Sequence, residues 1–246
     1  MTAPDHCLQL DVGNSSAKWR LISGGEIAGR GSYRADDSES LRALLSCSDI
    51  VENVWVSSVA GAQSNKTLSE LLEKKWGIVP WFARSSSQLG SLRNSYSEPE
   101  RLGVDRWLAM LGAQSRLSGR FAVVDAGSAL TIDIVAADGL HEGGYIIPGA
   151  ELMERALLLD TDRVRFEEQA DYRLVPGQST AEAVRHGIAV SQVGAVRLVL
   201  ENLGIRKDDL LLCGGGAREL MALSDLGGEW VPDLIFEGLE IAAAER

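Results

Sequence analysis

Two stretches of the chain carry one pattern, and that repetition constrains the fold more than any other feature. Residues 8–21 read LQLDVGNSSAKWRL. An apolar run over 7–10 leads into Asp11, small polar residues follow at Gly13, Asn14, Ser15 and Ser16, and a second strand-like run starts at Lys18. Residues 120–135 read RFAVVDAGSALTIDIV, where an apolar strand leads into Asp125, Ala126-Gly127-Ser128 turns, and residues 130–135 follow. Strand-like runs on both sides of a short Gly-containing turn predict a β-hairpin in each case. A carboxylate at a strand end beside such a turn suits magnesium-phosphate chemistry. Asp11 can hold a hydrated cation, and turn amides, serine hydroxyls and Lys18 can hold phosphate oxygens. Taken alone, the first stretch also fits an ordinary hairpin with a turn-forming Gly-Asn pair. The two copies lie nearly half the chain apart, too far for a solenoid repeat. They predict two similar domains facing each other across a cleft, each offering one carboxylate-bearing hairpin.

The remaining elements repeat in the same order. The chain has 246 residues, enough for one large domain or two of about 120. We expect a first domain over 1–118 and a second over 119–246. In the first half a third strand at 26–33 is followed by a helix at 36–46 with Ser38 as cap. A strand at 53–59, a helix at 65–76 and a strand at 78–82 come next. A hairpin start followed by βαβ units implies a mixed sheet with helices on its faces. The second half has strands at 121–125, 130–135 and 140–147, a helix at 150–159, a charged connector at 160–176 and a long helix at 180–203. A strand at 210–213, a helix at 217–223, a short strand at 230–231 and a helix at 235–244 complete it. The glycine triplet 214–216 lets a ligand lie against backbone, although such turns are also simply tight.

Residues 85–102, with Tyr96 and Pro99, read as a long loop, and loops of that length are often functional. Gly103 then gives a turn, and Asp105 and Arg106 open a helix with Leu108, Met110, Leu111 and Ala113 on its apolar side. From helix logic alone Asp105 is a cap and Arg106 a surface ion-pairing residue. By the same logic Ser179 or Thr180 caps the long helix, with Glu182 in its first turn.

Net charge is −11, which excludes nucleic-acid binding through bulk electrostatics. No segment has the length of a transmembrane helix, and the opening residues MTAPDHC lack the features of a signal peptide. Three scattered cysteines, Cys7, Cys47 and Cys213, fit reduced thiols in a cytoplasm. His6, His141 and His186 form no metal-ligand spacing with them, so no zinc site is expected.

Over nearly its full length the chain resembles the type III pantothenate kinases of the acetate and sugar kinase, Hsp70 and actin superfamily. The family's Asp-x-Gly-Asn-Thr stands here as Asp11-Val12-Gly13-Asn14-Ser15, and its Gly-x-Asp-Arg as Gly103-Val104-Asp105-Arg106. Its Asp-x-Gly-Thr-Ala stands as Asp125-Ala126-Gly127-Ser128-Ala129. Gly-Gly-x-Ile-x-Pro-Gly matches 143–149, and GQSTAEAV and PDLIFEGL match the family's threonine-bearing helix start and C-terminal segment. Ser15 and Ser128 replace threonine, keeping the hydroxyl and losing a methyl.

The resemblance implies an α/β fold of two ribonuclease H-like (actin-like ATPase) domains, with mixed five-stranded sheets flanking a central cleft. It implies ATP-dependent phosphorylation of pantothenate to 4′-phosphopantothenate, the first step of coenzyme A biosynthesis. Asp105 would be the general base. Asp11, Val12, Gly13, Asn14, Ser15, Ser16, Ala17, Lys18 and Ser128 would bind ATP, with Asp11 holding magnesium through water. Tyr96, Gly103, Val104, Asp105, Arg106 and Thr180 would bind pantothenate. Asp125 would lie at a monovalent-cation site for potassium or ammonium. A cytoplasmic homodimer is implied, with Thr180 reaching the partner's pantothenate, and neither nucleic acid nor membrane as partner. Two other readings share the scaffold. One is a non-enzymatic regulator, which the acidic balance and the retained Asp11 and Asp105 oppose. The other is a phosphohydrolase, which would release phosphate without an alcohol acceptor.

Overall fold

A computed structural model describes residues 5–14, 16–34, 36–161 and 164–246. The chain divides into two compact units, Met1–Arg116 with Asp233–Arg246, and Leu117–Pro232.

The first unit opens with the antiparallel strands β1 (Cys7–Val12), β2 (Ala17–Ser23) and β3 (Glu26–Tyr33). Gly24 and Gly25 both take positive φ, 60° and 78°, which a two-residue hairpin turn with the strands' twist requires. Helix α1 (Ser38–Leu45) follows, then β4 (Asn53–Ser58), parallel to β1. Helix α2 (Ala62–Trp76) leads to the short β5 (Trp81–Phe82), parallel to β4. The sheet order is β3-β2-β1-β4-β5. Leu8 and Leu10 of β1 point into a core with Trp19, Leu21, Val54, Val56, Leu44, Leu68 and Leu72. Cys7, Gln9 and Asp11 alternate to the opposite face. The cap of α1 is Asp37, whose carboxylate accepts from the Glu39 amide at 3.0 Å, so Ser38 is the first helical residue rather than the cap.

The stretch expected to be a long loop is more ordered than that. Strands β6 (Gln88–Leu89) and β7 (Leu92–Arg93) form a small hairpin, and a 3-10 turn over Pro99–Arg101 precedes helix α3 (Val104–Arg116).

The second unit repeats the topology with β8 (Phe121–Ala126), β9 (Ala129–Val135) and β10 (His141–Pro148), then α4 (Ala150–Asp160) and α5 (Thr180–Leu203). Strand β11 (Leu210–Cys213), α6 (Ala217–Leu223) and β12 (Glu229–Trp230) complete it. Its sheet order is β10-β9-β8-β11-β12, the first sheet's order over again. Leu130, Ile132, Ile134, Ala122, Val124, Leu210 and Leu212 meet Val193, Val196 and Leu200 of α5 and Leu220 of α6. Asp133, out of phase with that face, meets the fully buried His141 at 2.9 Å.

The last helix, α7 (Leu234–Ala244), packs with the first unit, which differs from the expected second domain over 119–246. The reason is its contact with α3 and with the β1–β2 face. A Cβ on Gly238 would overlap the Leu108 carbonyl, and one on Gly112 would overlap that of Leu234, so the two helices meet backbone to backbone. Arg20 is buried under α7. Its guanidinium donates to Gln9 Oε1 (2.7 Å), Glu240 Oε1 (2.8 Å) and Asp233 Oδ2 (3.3 Å), and it lies 4.8 Å from the Phe236 ring centroid. A buried cation is tolerable only when bonded in this way. Arg116 adds two bonds of 2.6 Å to Glu237. Among the described residues no helix is long and apolar enough to cross a membrane.

Candidate functional site

Asp11 is the second-last residue of β1, in register with Lys18 of β2 and Ser57 of β4. Ser57 is fully buried and its Oγ donates to Asp11 Oδ1 at 3.0 Å. The turn closes through Gly13 N donating to Ser16 O (3.1 Å), and a Cβ on Gly13 would stand 3.2 Å from that oxygen. Asn14, Ser16 and Lys18 are exposed around this turn, while Val12 and Ala17 pair across it, Ala17 pointing into the core. Ser15 lies outside the described residues. Past β4 the chain stays beside the hairpin, with Val59 N donating to Val12 O at 3.0 Å.

Asp125 holds the matching place in β8, second from the end, in register with Thr131 and Cys213. Its hairpin is enclosed by glycine backbones. Gly149 N donates to Ser128 O (3.0 Å), and Gly216 N to Ala126 O (2.9 Å). Gly214 has φ 89°, and a side chain there would run into the Asp125 carboxylate and the Ala126 carbonyl. A Cβ on Gly149 would come within 2.5 Å of Ser128 O. The glycine triplet therefore lets a strand-to-helix turn press onto a carboxylate-bearing hairpin. Ser128 itself is exposed.

Gly103, Val104, Asp105, Arg106 and Tyr96 gather at the start of α3. The Gly103 carbonyl accepts from Trp107 N at 3.0 Å and so starts the helix. The Asp105 carboxylate folds back over Gly103, where a Cβ would approach Oδ1 to 2.6 Å, and it accepts from Arg106 N at 2.8 Å. Arg106 is buried, not on the surface as helix logic had it. Its Nη1 donates to the Tyr96 hydroxyl at 3.1 Å, with the Tyr96 ring centroid 6.0 Å away.

Thr180 is the first residue of α5 but not its cap. Ser179 Oγ accepts from Glu182 N (3.2 Å), and the Glu182 carboxylate accepts from Gln178 N (2.7 Å), one residue before the cap. Thr180 is exposed on the rim of an open groove of about 1070 Å³, whose walls include Leu152, Leu157, Val184 and Ile188. Behind it the connector is fastened down. Arg185 makes two 3.0 Å bonds to Glu154 and one of 2.7 Å to Ala170 O, and His186 Nδ1 meets Val175 O at 2.7 Å. The Arg185 guanidinium holds the Glu154 carboxyl below its ordinary range, and burial raises the Tyr172 hydroxyl.

Sequence reasoning missed Ser57. Its only signal was its place at the end of an apolar run, and its link to Asp11 exists only in the β1–β4 register. His141 and His186 bond to Asp133 and to backbone, as core histidines do.

A sequence model of the type III pantothenate kinase family matches residues 7–202. The type III pantothenate kinase of Marinobacter nauticus is 38% identical over 239 residues, covering 96% of this chain and 98% of its own length. That of Chromohalobacter salexigens is 40% identical over 250 residues, covering 97% and 89%. Among solved structures, a protein described as a Baf family transcriptional activator from Campylobacter jejuni matches with a TM-score of 0.60 at 21% identity, over 97% of this chain and 98% of that one. MreB 5 of Spiroplasma citri bound to AMPPNP matches at 0.50 with 12% identity, over 97% and 96%. At such identities these likenesses show the fold alone, that of the actin-like ATPases and sugar kinases. On the family match and the full-length relatives, the chain belongs to the type III pantothenate kinase family.

Proposed function

We propose that the chain transfers the γ-phosphoryl group of ATP to the hydroxyl of pantothenate, giving ADP and 4′-phosphopantothenate, the first step of coenzyme A biosynthesis. Phosphoryl transfer needs positioning and charge neutralisation more than covalent help from the protein. Asp105 takes the hydroxyl proton as that oxygen bonds to the γ-phosphorus and the bond to the β–γ bridging oxygen breaks. Arg106 and Tyr96 offer a cation and a phenol to pantothenate's polar end, and Gly103 and Val104 bring backbone close to it. The turn from Gly13 to Lys18, with Ser128, binds the ATP phosphates. The observation that carries this reading is the start of α3. A carboxylate and a buried guanidinium stand on consecutive residues, one folded over Gly103 and the other held on Tyr96.

The donors suit the expected ions. Asp11 is a single carboxylate with one oxygen already accepting from Ser57, which fits magnesium held mainly through water and phosphate oxygens. Magnesium, when bound, neutralises charge on the phosphates. Asp125 lies against the glycine-lined turn at 214, and its hard oxygen donors suit potassium or ammonium.

A homodimer is part of the proposal. Helix α4 has no buried residue, and Leu152, Leu157 and Leu159 of α4 with Val190 and Leu198 of α5 are exposed in the single chain. Leu152 and Leu157 share an open groove with Val184 and Ile188, and that apolar lining supports a second copy covering it, with Thr180 on the groove rim entering the partner's site. A cytoplasmic location suits such an enzyme.

The test is ADP release by the purified protein with ATP, magnesium and potassium, with and without pantothenate. Release that needs pantothenate is expected, and Asp105→Asn lowers it by roughly 100-fold or more. Release that ignores pantothenate makes the chain a phosphohydrolase, and an Asp105→Asn variant near wild-type turnover removes the base.

A further inference from the structure

We propose that Asn94 is a positioning residue for the pantothenate subsite, holding the loop over 85–102 in the shape that sets Tyr96 on Arg106. This rests on the reading of that subsite given above. Asn94 follows β7 directly, where fully buried Leu92 anchors the loop. Its side-chain amide is engaged at every polar atom. Nδ2 donates to Ser86 O at 3.2 Å and to Pro99 O at 3.1 Å, and Oδ1 accepts from Tyr96 N at 3.0 Å. Its own backbone N donates to Ser87 O at 2.9 Å. One side chain thus ties the point where the loop begins to the point where it ends, and fixes the backbone of Tyr96 between them. Ser85 Oγ donating to Leu102 O at 2.7 Å closes the same loop one step further out.

Only a carboxamide offers two donors and an acceptor in one plane. Aspartate keeps the acceptor for Tyr96 N, loses both donors and sets a negative charge against two carbonyl oxygens. Alanine loses all three bonds. In either case the loop ends part, the Tyr96 phenol withdraws, and the buried Arg106 guanidinium loses its bond to that phenol. Asn94 touches no reacting atom in this account and acts through Tyr96.

The experiment compares Asn94→Ala, Asn94→Asp, Tyr96→Phe and the Asn94→Ala/Tyr96→Phe pair, with KM for pantothenate, KM for ATP and kcat measured on each. Amide hydrogen exchange is measured over 86–99 on the same proteins. Asn94→Ala raises the pantothenate KM roughly tenfold and leaves the ATP KM within about twofold. Once Tyr96 is Phe, the same substitution adds less than about threefold, because both changes act on one contact. Exchange over 86–99 speeds up in Asn94→Ala, and in Asn94→Asp, which keeps the acceptor, the Tyr96 amide stays better protected than in Asn94→Ala. An unchanged pantothenate KM, an ATP KM rising in step with it, or additivity in the pair overturns the proposal. Should the wild-type protein ignore pantothenate, the proposed reaction falls, and the exchange measurement still decides on Asn94. Unaltered exchange in Asn94→Ala overturns its hold on the loop.

Discussion

Removing the Ser57 hydroxyl tests one bond that orients Asp11. The bond from Ser57 Oγ to Asp11 Oδ1 is 3.0 Å long, and Ser57 is fully buried. A hydrogen bond to a charged group contributes about 1.5–3 kcal/mol, and Asp11 is only half-buried, so water offsets part of the loss. Taking about 1–2 kcal/mol as the net effect, Ser57→Ala raises the magnesium concentration for half-maximal turnover roughly 5- to 30-fold. The assay is a magnesium titration of ADP release at saturating pantothenate, paired with calorimetric binding of manganese-ATP. Ser57→Thr is the control. It keeps the hydroxyl and adds a methyl in a full slot, so it costs about 1–3 kcal/mol of stability while the magnesium dependence stays close to wild type. A Ser57→Ala protein whose magnesium dependence lies within about twofold of wild type would refute the argument that this bond orients Asp11.

Three further outcomes follow from other contacts. The Glu154 carboxyl is held below its ordinary value of 4.5, first by its hydrogen bonds from Arg185, so the stability it contributes is present above pH 4.5 and fades as pH falls through its lowered value. The gap in melting temperature between wild type and Glu154→Gln therefore closes in acid, and a gap that widens there contradicts the pairing. Gly238→Ala forces α7 off the Leu108 carbonyl and costs about 1–3 kcal/mol in urea denaturation; a loss under about 0.5 kcal/mol would mean that the helices can separate freely. Burial first, then the Glu240 charge, push the Cys7 thiol up to about 12, so iodoacetamide at neutral pH modifies it only after unfolding, as peptide mass spectrometry of native and denatured samples checks.

Much of the element pattern was legible because its signals are local. Strand Glu26–Tyr33 follows a Gly-Gly turn, Thr180–Leu203 begins at a serine cap, and Leu210–Cys213 stops at three glycines. What escaped depends on contacts distant in sequence. The pattern of α7 announces a helix with an apolar face, but only the meeting of Gly238 with α3, and of Arg20 with Asp233 and Glu240, says which sheet it covers. Arg106 reads as a surface residue until the loop over 85–102 folds onto it through Leu92 and Asn94. The Asp-x-Gly hairpins and the Gly103–Arg106 stretch were visible as motifs, whereas Ser57 became meaningful only through strand register. Between Ser179 and Thr180 the sequence left the cap open, and Ser179 takes it, which leaves the Thr180 side chain to the groove.

The place of α7 also sets an order of events during synthesis. Every strand of the second sheet has been made once Trp230 is joined, whereas Arg20 still lacks Asp233 and Glu240, which have yet to be translated. At about 5–20 residues per second, domains usually fold from the N-terminal end. The second sheet is thus complete without the last helix, while the half begun first keeps a cation and a glutamine without their carboxylate until that helix docks. A released chain ending at residue 232 would then carry a protease-resistant second unit and a protease-sensitive first one.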